Sequence, residues 1–115
     1  MSNTKMLEPV LDDKTLAFLL RDKIYLNIYD LCTHIDNNFK SIDILVIKKN
    51  YVQLITDLDI NKVIISYIKE VIDGLELDID DNDYKNIVMN NIDVFFEINY
   101  DKKANKYTIE MADYN

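Results

Sequence analysis

The chain predicts an α+β fold: a long N-terminal helix and one or two shorter helices packed on an antiparallel sheet containing a C-terminal hairpin. Three observations carry this. Apolar residues recur at helical spacing through Leu16, Leu20, Ile24, Ile28, Leu31, Ile35 and Phe39. A second helical period, from Ile60 to Ile72, runs into the chain's one glycine, Gly74. The last third alternates with period two, at Val94, Phe96, Ile98 and Tyr100, then Tyr107, Ile109 and Met111.

Residues 1–10 read as a flexible lead-in, and 11–115 as a single compact domain. Pro9 biases Glu8 toward extended geometry. Asp12 or Asp13 then caps the first helix, because a short carboxylate accepts from the orphan N–H groups of a first turn. That helix is expected over about 13–38, unbroken or kinked near Arg21 and Asp22. Ile42, Ile44, Leu45, Val46 and Ile47, then Tyr51, Val52, Leu54 and Ile55, predict a hairpin turning at Asn50, since β-branched residues lose χ1 freedom in helices. Asp59 caps the second helix, and Gly74 stands where a C′ glycine would end it. Leu75, Leu77 and Ile79 alternate with acids and predict an edge strand. Asp81 to Asp83 offer caps to a short helix through Tyr84, Ile87 and Val88. The final hairpin turns through residues 101–105 and must join a larger sheet, because an isolated hairpin is marginal in water.

The chain has 115 residues with 21 acids against 13 bases, a formal net charge of −8. Such a field repels nucleic acid and anionic membranes and favours a basic protein surface. With one glycine and one proline, turns must be built from Asn and Asp, which tolerate the left-handed region. The single Cys32 excludes an internal disulfide, and the longest apolar runs, at 16–20 and 44–47, are far too short to span a bilayer. No signal-peptide pattern is visible, so the expected location is cytoplasmic, including the inside of an infected host cell. Ile, Asp, Asn and Lys supply 17, 16, 13 and 12 residues. Ile, Asn, Lys and Tyr are written with AT-rich codons, and this bias resembles, in composition only, poxviral or low-GC phage accessory proteins.

The acidic stretch Asp73, Glu76, Asp78, Asp80, Asp81 and Asp83 contains no base. Aligned as a calcium loop, Asp78, Asp80 and Asn82 take ligand positions. However, Asp83 stands where the loop requires Gly, and Met89 where it requires the bidentate Glu. No metal or cofactor site is expected, and the stretch is instead the candidate partner-binding patch. The only histidine, His34, falls on the polar side of the first helix, as a surface residue. With no His-rich, Cys-x-x-Cys, Gly-rich or G-x-S-x-G motif, the chain reads as a non-enzyme. Leu19 and Leu26 leave the main apolar stripe, and Tyr25 and Tyr29 flank it. These four form a candidate dimer or partner face.

The expected function is therefore a small acidic protein-binding module, an inhibitor or immunity-type or host-modulating accessory protein that docks on a basic protein surface. The alternative is a structural or assembly subunit acting as a homo-oligomer, a homodimer through the first helix being one form. A DNA mimic would need acids spread at phosphate-like spacing, and a winged-helix regulator would need basic helices. Here the paired lysines, Lys48–Lys49 and Lys102–Lys103, lie in turns.

Overall fold

The computed structural model describes residues 12–75 and 80–113, apart from the side chains of Asp81 and Asn82. The elements are α1 (Asp13–Lys23), α2 (Ile28–Asn38), β1 (Asp43–Ile47), β2 (Tyr51–Ile55), α3 (Ile60–Asp73), α4 (Asp81–Asn90), α5 (Ile92–Phe95), β3 (Phe96–Asp101) and β4 (Lys106–Met111). The four strands form one antiparallel sheet in the order β1-β2-β4-β3. Beyond Leu75, the strand expected over 75–79 lies outside the described residues.

The expected long helix is two helices. Asp12 caps α1 by accepting from Thr15 N–H at 2.7 Å. The helix stops at Ile24, which is extended, and α2 begins afresh at an Asn27 cap that accepts from Asp30 N–H at 2.8 Å. The apolar period keeps its phase across this break, which is why the sequence stripe looks continuous. Leu26 lies in the extended connection and is buried rather than displayed. The break is anchored from a distance: Tyr67 of α3 accepts from Asn27 N–H and donates to Asn27 C=O, at 3.2 and 3.4 Å.

Asp59 caps α3 as expected, accepting from Asn61 N–H at 3.0 Å. Gly74 ends the helix with φ −75° and ψ −9°, an ordinary right-handed conformation, so it is not the left-handed C′ residue its position suggested. The C-terminal strand starts later than expected. Val94 and Phe95 belong to α5 and are both buried, which alternation does not allow.

Both hairpins form. In the first, Lys48 N–H donates to Tyr51 C=O at 2.8 Å across Lys49 and Asn50, and neither residue has positive φ. In the second, Asp101 Oδ1 accepts from the N–H groups of Lys103 and Ala104, and Asn105 takes φ 51°. An Asn therefore supplies the left-handed residue that glycine usually provides. The hairpins join through β2 and β4, where Val52 faces Ile109. Val52, Leu54, Phe96 and Ile109 are buried on the helix-covered side. The ladder slips between Ile44 and Val46, so Leu45 of edge strand β1 sits in a bulge and is 50% exposed.

Among the helices, α1 packs on α4 and α5, α2 on α3, β1 and β2, and α3 on α4. The one arginine ties the N-terminal helix to the far end of the chain: Arg21 donates to the carbonyls of Val94 and Ala112, both at 2.6 Å. No helix among the described residues is long and apolar enough to cross a membrane.

Candidate functional site

An open groove of about 530 Å³ lies between α1 and α4. Its apolar lining comes from Leu16, Leu19, Leu20 and Ile87, and its polar lining from Asp13, Lys23, Asp80, Asp83 and Asn86. Local sequence explains each wall. On α1, Ala17 and Leu20 turn into the core and leave Leu19 on the next face, 45% exposed. On α4, Tyr84, Ile87 and Val88 turn inward. The helix opens at Asp80, whose carbonyl accepts from the N–H groups of Asp83 and Tyr84 at 3.0 and 3.1 Å. Asp13 and Asp83 sit in first turns, where the helix dipole favours negative charge. The lining extends from the first residue of α1 to its last, roughly 15 Å of helix.

The groove thus joins parts of two separate sequence candidates: Asp80 and Asp83 of the acidic stretch, and Leu19 of the apolar face. It adds Asp13, which sequence reading treats only as a possible cap. Asp73 is exposed at the end of α3 but does not line the groove. Glu76, Asp78 and the side chain of Asp81 lie outside the described residues. The other face residues separate. Leu26 is 9% exposed, because the helix ends before it, and so it is not on an outward face. Tyr25 and Tyr29 are 75% and 55% exposed, and Tyr25 borders a different hollow with Arg21, Ile24, Leu26 and Met111.

His34 is not the surface residue that the continuous-helix reading implies. It follows Leu31 by three residues on α2, on the flank that α3 covers, and is buried. Its Nδ1 lies 2.7 Å from Glu70 Oε2 and its Nε2 lies 2.9 Å from Ser66 Oγ. Asn38 Nδ2 approaches the same Nδ1 at 3.2 Å and donates to the His34 carbonyl at 2.8 Å. The rings of Phe39 and Tyr67 each stand 5.9 Å from the imidazole.

Serine, histidine and glutamate thus follow one another in the order of an acyl-transfer relay. The surroundings favour a clamp between two helices. The acid is 62% exposed, whereas a relay acid is buried to hold its histidine in place. Ser66 sits mid-helix and outside the lining of the adjoining 240 Å³ hollow, which is formed by Asp30, Thr33, His34, Asn37, Tyr67, Glu70 and Val71.

Two further buried groups, Cys32 and Tyr67, are set far from neutrality. Burial, assisted by Asp36, pushes the Cys32 thiol up to about 11. Burial pushes the Tyr67 hydroxyl up to about 12. Among the described residues, no group of three or more His, Cys, Asp or Glu side chains is placed to hold a metal ion.

No protein-family model matches the chain, and no curated protein or solved structure is significantly similar to it.

Proposed function

We propose that the chain is a protein-binding module whose α1–α4 groove receives an apolar, lysine- or arginine-flanked segment of a partner protein. Inhibitory or accessory action would follow from occupying that segment. The observation that carries this reading is the groove's lining: exposed Leu19 and half-buried Leu16 with three acids, Asp13, Asp80 and Asp83, against one base, Lys23. Apolar anchors supply affinity, while surrounding charge selects the partner and speeds encounter. A net charge of −8 extends the same preference over the molecule.

The test is fluorescence anisotropy with a labelled helical peptide carrying leucines at i and i+4 flanked by lysines, beside a twin with glutamates for lysines. The lysine peptide should bind, weaken between about 0.05 and 0.5 M salt, and bind Leu19→Glu and Asp80→Lys/Asp83→Lys variants about tenfold or more weakly. Equal binding of both peptides, or binding indifferent to these substitutions, would reject the groove as the docking site.

A further inference from the structure

We infer that the partner is a second copy of this chain, and that the β1–β2 hairpin of one copy enters the α1–α4 groove of the next. The inference rests on the groove reading above and names its occupant. The hairpin has the chemistry the groove selects. Leu45 and Ile47 are 50% and 41% exposed, and the exposed Lys48 and Lys49 follow them directly. The bulge between Ile44 and Val46 leaves Leu45 without a ladder partner, and bulges on edge strands re-aim a side chain in this way. The strand is short and bulged, which blunts its backbone edge against strand addition, so what it offers a second copy is the Leu45 and Ile47 side chains rather than a free ladder. The receiving surface offers Leu16 and Leu19 for Leu45 and Ile47, and Asp13, Asp80 and Asp83, which outnumber the groove's one base, Lys23, for the lysine pair.

The two surfaces are borne by different elements, so every copy presents both one hairpin and one groove. Such a contact closes as a two-fold pair with two reciprocal junctions, closes into a larger ring, or continues as an open chain.

Sedimentation velocity over a concentration series tests this, with circular dichroism checking that each variant is folded. The wild type should self-associate at about 0.05 M salt and dissociate toward about 0.5 M. Lys48→Glu/Lys49→Glu blocks the hairpin, and Asp80→Lys/Asp83→Lys blocks the groove, so each variant alone should be monomeric. Lys48→Glu/Lys49→Glu mixed in equal amounts with Leu19→Glu, which leaves the groove acidic, retains one intact junction and should stop at a heterodimer. Leu19→Glu repeats the groove test without reversing an acid at the start of α4.

A wild type that remains monomeric overturns the inference. If it still binds the lysine peptide, the groove reading stands and only the occupant is wrong. Self-association that survives Asp80→Lys/Asp83→Lys and Leu19→Glu overturns the inference as well, because the contact then lies elsewhere.

Discussion

His34 Nδ1 lies 2.7 Å from Glu70 Oε2, joining the middle of α2 to the last turns of α3. The two ends of this contact are unequal: the imidazole is 5% exposed and the carboxylate 62%. Replacing His34 with Ala should therefore cost about 2–4 kcal/mol, since it opens a cavity and strips Ser66 of its bond. Glu70→Gln should cost less than about 1 kcal/mol, because an exposed partner is readily replaced by water. Urea unfolding of the two variants measures both. Near-equal losses would mean that the carboxylate matters as much as the buried ring.

Arg21 makes two 2.6 Å bonds to carbonyls that no neighbouring segment supplies, those of Val94 and Ala112. Truncation to Ala should cost about 2–3 kcal/mol, with Lys recovering less than half, since an ammonium lacks the planar fork that reaches both oxygens. The same unfolding measurement decides it, and full recovery by Lys would refute the two-point geometry.

Gly74 has room for a side chain. A Cβ there would meet Val71 and Glu70 carbonyl oxygens at 3.5 and 3.7 Å, ordinary contact distances, with φ already negative. Gly74→Ala should stabilise the chain by about 0.4–1 kcal/mol, chiefly by narrowing the unfolded ensemble. A lowered melting temperature would show that the residue visits a left-handed conformation that the structure does not display.

The Asp12 cap should give the chain an acid-sensitive component of stability. Backbone and side-chain hydrogen bonds from Thr15 hold its carboxyl below the ordinary range. A lowered folded-state pKa means that the contribution is complete above the unfolded value, near pH 4, and fades as pH falls through the folded value. Asp12→Ala should lower the urea midpoint at pH 7, and its gap to the wild type should narrow at low pH, where only a neutral carboxyl oxygen is left to accept. Asp12→Asn should retain most of the cap at both pH values, because the amide oxygen still accepts. A wild-type to Asp12→Ala gap that does not narrow as pH falls below the unfolded value would refute the account.

Local signals in the sequence were sufficient where the deciding contact is local. Asp12 and Asp59 cap the helices they precede, and the Asn- and Asp-built turn at 101–105 closes the last hairpin. Reading failed where the deciding contact is distant. The break before α2 follows an Asn27 cap with Asp30 three residues on, a pattern visible in the sequence, but the unbroken apolar phase concealed it. Nothing near His34 announces Ser66 and Glu70, which arrive from another helix. The groove was legible only in halves, because Leu19 and Asp83 meet through the packing of α1 on α4.

The strand order β1-β2-β4-β3 also bears on how the chain reaches its native state. Each hairpin closes a short loop and can form on its own within microseconds. The β2–β4 seam is different, because α3, α4 and α5 all lie between its two strands. Closing that long loop costs entropy before Val52 meets Ile109, so the seam places the rate-limiting barrier late, after both hairpins are formed. Weakening the turns should then slow folding, because the hairpins are already in place when the barrier is crossed, and shaving Val52 or Ile109 should slow it to the extent that the seam is formed there.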